Sequence, residues 1–168
     1  MRKVYISILT VLAFLAVSPG SMAIDHPGIT RPVKSVSDFV LIEDGKPVPI
    51  IVSSTDDTAV LRAAANLQND FLMVCGTRPE IRESAETDRA VIAGSLSSDI
   101  IKSMIADNLI DVRDLEGYRE KYVIRFVKNP VEGVGEALVI VGSDRRGAVY
   151  GIYELSEQIG VYPWYDWA

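Results

Sequence analysis

Three groups of residues in this chain have the types and spacing for chemistry. The first is Gly142-Ser143-Asp144-Arg145-Arg146-Gly147, set between an apolar run and a helical pattern. Two glycines separated by four residues, in a strand–loop–helix setting, can point backbone N–H groups at a phosphate. The second half of that device is missing, because Ala148 and Val149 stand where a lysine and a hydroxyl residue would hold phosphate and magnesium. A dinucleotide loop is excluded too, since its first two glycines are one residue apart. The stretch reads better as a helix start, with Ser143 or Asp144 as the cap and Gly142 letting the chain turn.

The second group is carboxylates in pairs. Asp56-Asp57, and Glu154 with Glu157, could serve as acid and base. Asp56 and Asp57 open a helical pattern, where capping and the helix dipole explain both. Glu154 and Glu157 lie three apart on a helix, the usual spacing of a solvated face. The single cysteine, Cys75, ends an apolar helix pattern with no histidine near it in sequence, so it reads as a small buried hydrophobe.

The third group closes the chain. Tyr162, Trp164, Tyr165 and Trp167 fall within the last seven residues. Contiguous aromatics of this kind mark an interface. Gly147 and Gly151, four apart on one face of the preceding helix, belong with them as interface candidates. A helical glycine costs about 1 kcal/mol against alanine, so Gly151 calls for close approach of another backbone.

Regular elements must position these groups. Phe39–Glu43 and Pro49–Ser53 flank Asp44-Gly45, a hairpin signal. Val60, Ala64, Leu67, Phe71 and Val74 form one stripe of a helix over 56–75, which Gly76 ends. Ala90–Ala93 is a short strand, and Ile101 and Ile105 share a face of a helix over 98–107. Asp111–Gly117 is a polar connection. Tyr122–Val127 and Ala137–Val141 make a second hairpin across the loop Asn129–Glu136, the latter strand being interior. A third helix over 145–159 buries Ala148, Ile152, Leu155 and Ile159. The order ββ-α-β-α-ββ-α predicts an α/β two-layer sandwich, a mixed β-sheet with helices packed on it.

The beginning of the chain has a different character. Arg2 and Lys3 precede an apolar run from Val4 to Val17, followed by Ser21-Met22-Ala23. These are the parts of a signal peptide cleaved after Ala23. An uncleaved anchor is the alternative, but a spanning helix needs about 20 apolar residues and this run is shorter. Export to the periplasm or beyond is therefore expected. Removing residues 1–23 from the 168 leaves 145, and because the leader carries two basic and no acidic residues, the net charge moves from −6 to −8. An acidic chain of this kind is a poor partner for nucleic acid or an anionic membrane surface.

The blocks "GSDRRG", "YGIYELSEQIGV" and "PWY" stand uninterrupted from Gly142 to Tyr165. They resemble a signature of glycosyl hydrolase family 115, the xylan α-glucuronidases. Upstream, "LIEDGKPVPIIV", "LRAAANLQNDF" and "VIAGSLSSDII" are similar to the family's N-terminal region in order and spacing. The chain departs from the pattern at Asp166, where another tryptophan is usual, and at Tyr162, where a small residue is. The resemblance implies a small α/β domain like the one ahead of the catalytic (β/α)8 barrel in these enzymes and in β-N-acetylhexosaminidases. It divides the chain into a signal peptide (1–23), an accessory domain (24–161) and an aromatic junction (162–168) to a barrel that is not here. Catalytic acids and glucuronate-binding groups are expected in that barrel, so none is carried over to this chain. No cofactor or metal is implied. The expected partner is the barrel, and through it alone a xylan-derived glucuronosyl oligosaccharide. The alternative is a stand-alone carbohydrate-binding or protein-interaction module, with Trp164, Tyr165 and Trp167 stacking on sugar rings. On the junction reading, Gly147 and Gly151 should lie open beside the exposed aromatics or under the entry segment from Ile24 to Ser35.

Overall fold

The computed structural model describes residues 39–162. The expected signal peptide, and Trp164, Tyr165 and Trp167, lie outside the described residues. Asp44 and Gly45 take positive φ values of 52° and 73°, as an Asp-Gly turn allows. They join β1 (Ile42–Glu43) to β2 (Lys46–Pro47) in an antiparallel ribbon. The second arm expected from Pro49–Ser53 is not part of it. That stretch instead supplies β3 (Ile50–Ile51), which enters the main sheet and pairs in parallel. Both its residues are fully buried. A strand apolar on both faces needs cover on both, which a two-stranded ribbon cannot give.

From β3 the chain enters α1 (Thr58–Cys75), whose start is fixed by Asp57: its side chain accepts the Ala59 N–H at 2.8 Å. Gly76 ends the helix with φ 76° and donates its N–H to the Leu72 carbonyl. Val60, Ala64, Leu67 and Phe71 are buried as the stripe predicts, whereas Val74 is 43% exposed. It stands in the last turn, past the span that the sheet and the third helix cover.

The chain then forms β4 (Ile81–Arg82), β5 (Thr87–Ser95), α2 (Asp99–Ala106), β6 (Tyr122–Lys128), β7 (Val134–Gly142) and α3 (Arg145–Gln158). The sheet order is β4-β3-β5-β7-β6. β4, β3, β5 and β7 are mutually parallel, and β6 returns antiparallel on the edge. β7 is interior, as expected. It starts at Val134 rather than Ala137, because Asn129 and Gly133, both at positive φ, turn the chain within a shorter loop.

Alternation along the strands sends side chains to two faces. Val91, Ala93 and Ile140 face α1 and α3. Ala90, Ile92, Val139 and Val141 face α2 together with Ile110, Val112 and Leu115. Hence the 111–117 connection, read as polar, contributes two core residues. The fold is a mixed α/β sheet with helices packed on it, and the short α2 covers the face opposite α1 and α3.

Candidate functional site

In open parallel sheets, ligands bind outside the carboxyl ends of strands where successive helices leave on opposite faces. Here that point lies between β3, which leads to α1, and β5, which leads to α2. The crevice is filled by the chain's own Asp56, which is buried. Its Oδ1 accepts the Ser95 hydroxyl at 3.0 Å and the Asp57 N–H at 2.7 Å, and its Oδ2 accepts the Ser95 N–H at 3.1 Å. Gly94 lies close beneath it: a Cβ there would meet Ile101 Cγ1 at 2.9 Å and Asp56 Oδ2 at 3.1 Å, so these side chains would have to shift. The two aspartates therefore divide the work. Asp57 caps α1, as expected, while Asp56 does not cap and ties the helix start to β5.

Beside this point, at the ends of β5 and β7, lies an open groove lined by Ser97, Arg119, Glu120, Ser143, Asp144 and Arg145 among others. Asp144 caps α3, accepting the Gly147 N–H at 2.8 Å and the Glu120 N–H at 3.1 Å. The Gly147 bond above all holds its carboxyl below the ordinary value. A fixed carboxylate thus occupies the place a phosphate would take at this helix N-terminus. Two of the groove's three arginines are engaged as well: Arg145 pairs with Asp57 at 3.5 Å and Arg146 with Glu120 at 2.7 Å. Ser143 does not cap; its hydroxyl accepts the Lys121 N–H at 3.0 Å.

Three glycines of this region sit where a side chain would crowd a neighbour, Gly142 and Gly147 against backbone and Gly151 against side chains. Gly142 is not at positive φ; it is small because a Cβ would lie 1.9 Å from the Ala148 nitrogen. Gly147 and Gly151 are both buried, and they face this domain's own sheet. A Cβ on Gly147 would reach the Lys121 carbonyl oxygen at 2.2 Å, and one on Gly151 the Ile140 Cγ2 at 2.6 Å and the Tyr122 ring at 3.1 Å. The close approach inferred from their spacing is real. The expectation that this face lies open beside the tail is corrected: β6 and β7 cover it.

Glu154, read as solvated, is half-buried and accepts from the Tyr122 hydroxyl at 3.1 Å and Gln158 Nε2 at 2.9 Å. Burial, and then the Glu154 charge, push the Tyr122 phenol up to about 12. Glu157, three residues on, is half-buried too. Cys75 is half-buried rather than buried, with its thiol donating to the Phe71 carbonyl at 3.1 Å. Tyr162 is 61% exposed at the end of the described chain.

One site escaped the sequence reading. Between α1 and α3 a small cleft is lined by Asn66, Asn69, Asp70, Tyr153, Ser156 and Glu157. The available signal was Asp70, seven residues after the buried Ala63 and therefore on the helix's inward face.

No protein-family model matches the sequence, and no curated protein matches it. Solved structures do. A novel family GH115 4-O-methyl-α-glucuronidase, BtGH115A, with specificity for decorated arabinogalactans, superposes with a TM-score of 0.57 at 25% identity. The match takes in 72% of this chain and 14% of that one. The chain has a GH115-like fold. CpGH84D is also similar, at 17% identity and a TM-score of 0.46, over 68% of this chain and 18% of that one. The chain thus corresponds to a glycoside hydrolase-like domain that spans about a seventh of the GH115 glucuronidase.

Proposed function

We propose that this chain is the non-catalytic N-terminal accessory domain of a secreted glycoside hydrolase that removes α-linked (4-O-methyl)glucuronic acid from a polysaccharide. The observation that carries this reading is the likeness to a 4-O-methyl-α-glucuronidase over 72% of this chain. The family resemblance points to glucuronoxylan, while the structural neighbour is specific for decorated arabinogalactans. The uronyl group is common to both, and it defines the substrate class here. The accessory role is supported by how the candidate acids are used. Asp56 ties α1 to β5, Asp57 caps α1, and Glu154 is bonded to Tyr122 and Gln158.

In this reading the partner is a (β/α)8 catalytic barrel, with Tyr162, Trp164, Tyr165 and Trp167 as the contact to it. Substrate reaches the assembly through that barrel, and the leader directs export and is removed after Ala23. Residues 24–168, purified and incubated with aldouronic acids and with glucuronylated arabinogalactan, are expected to release no uronic acid. Turnover above a buffer blank would refute the non-catalytic role. Sequencing the genomic DNA past codon 168 tests the partner, since a reading frame for a barrel is expected and unrelated sequence would sink the pairing.

A further inference from the structure

Asp70 is the only charged side chain on the buried face of α1. Carboxylates are costly inside a helix–helix interface unless they are bonded there. Burial pushes the Asp70 carboxyl above its ordinary value, and the Ser156 hydroxyl on α3 draws it only partly back. Among the described residues no lysine or arginine forms an ion pair with it. An apolar residue would pack at this point for less, so the carboxylate invites a ligand that brings donors of its own.

The surrounding groups limit what that ligand can be. Asn66 Nδ2 donates to the Tyr153 hydroxyl at 2.8 Å, which fixes one side chain on each wall. Arg78 donates to Asn69 Oδ1 at 2.7 Å, which orients that amide and leaves its two N–H donors for other partners. The cleft therefore offers carboxylate and amide acceptors beside amide donors. Groups that both donate and accept, such as neighbouring hydroxyls, satisfy such a wall. Anions are disfavoured, because Asp70 and Glu157 line the cleft and no lysine or arginine does. A metal ion lacks ligands, since no three acidic, cysteine or histidine side chains cluster among the described residues. The volume, about 230 Å³, is below the roughly 300–1,000 Å³ of ordinary ligand pockets, which leaves room for one ring and not for a nucleotide.

We propose that the α1–α3 cleft binds a single neutral sugar residue, with Asp70 and Asn69 bonding adjacent hydroxyls and Tyr153 lying beside the ring. This goes beyond the accessory-domain reading and does not depend on it, because it rests on the cleft's own groups. Saturation-transfer NMR on the full mature chain tests it without any hydrolysis, using D-xylose, D-galactose and D-glucuronate at millimolar concentration. Transfer to the neutral sugars is expected, with glucuronate much weaker at pH 7. Asn69→Ala alters an exposed residue and leaves the core untouched, and Asp70→Asn keeps the shape of the side chain. Each should weaken binding roughly tenfold, the loss of one strong hydrogen bond, with an unchanged circular dichroism spectrum. The proposal is overturned by no transfer to either neutral sugar, by transfer undiminished in both variants, or by glucuronate binding as well as xylose.

Discussion

Replacing Gly147 by alanine sets two effects of opposite sign against each other. In an open helix face, alanine is favoured over glycine by about 1 kcal/mol, and the variant would be the more stable protein. Here the new Cβ would stand 2.2 Å from the Lys121 carbonyl oxygen, 3.0 Å from its carbon and 3.1 Å from its nitrogen. All three are backbone atoms, so no rotamer change relieves the clash. Lys121 is also pinned, because its carbonyl accepts the Ser143 N–H at 2.8 Å and its own N–H reaches the Ser143 hydroxyl at 3.0 Å. Either α3 moves off the sheet or these bonds break. Overpacking costs about 1–3 kcal/mol, with about 0.5–1.5 more for a lost hydrogen bond. After the helix-propensity gain, the net loss is about 1–3 kcal/mol. Urea unfolding followed by circular dichroism should show a lower midpoint at unchanged slope, and melting should fall by about 4 °C per kcal/mol. Gly151→Ala is the internal comparison. Its Cβ would meet the Ile140 methyl and the Tyr122 side chain, which can shift, so its loss should be the smaller. If Gly147→Ala were as stable as the parent or more so, α3 would not rest on β6 as described. The glycine face would then be free for another domain.

Three further changes probe the carboxylates of α1 and its start. Asp56→Ala strands the Ser95 N–H in a site that is 1% exposed and leaves the Ser95 hydroxyl only Ser97 Oγ, at 2.7 Å, and should cost about 2–3 kcal/mol. Asp57→Ala loses the cap and a long, exposed pair with Arg145 and should cost about 1 kcal/mol, nearly all of it from the cap; equal costs in chemical denaturation would refute the division of roles. Burial raises the Asp70 carboxyl above its ordinary 3.8, so its protonated form favours folding below that value, and this help is lost as pH rises through the folded value. Asp70→Asn should therefore stabilise the chain at pH 7 and lose that advantage near pH 3, and a parent–variant difference equal at both pH values would contradict the burial argument.

Much of the fold was legible because local signals agreed with one another. Asp57, the apolar stripe and Gly76 together delimit α1 to within two residues of where it lies. Asp144 and the Ile152–Leu155 face do the same for α3. What escaped was set by non-local pairing. β4 is two residues long and exists because β3 lies beside it. β3 looked like a hairpin arm because Asp44-Gly45 does make a turn, and nothing local shows that Pro49 hands the next residues to a different sheet. The core role of Val112 and Leu115 follows from the sheet face that α2 leaves uncovered, which no local pattern records.

The candidate site divides along the same line. Spacing alone showed that Gly147 and Gly151 share a helix face and that something must come close to it. Periodicity locates a face but not the body across it, and the antiparallel return of β6 supplies that body from within the domain. The two glycines are thus accounted for within the domain, while Trp164, Tyr165 and Trp167, read with them as one surface, lie outside the described residues. Asp70 carried the opposite kind of signal. A carboxylate in phase with Ala63 and next to Phe71 contradicts the stripe around it, and the structure places that contradiction at the wall of a polar cleft. In this domain the glycines are accounted for by packing, whereas the residue that breaks the apolar pattern opens onto a polar cleft.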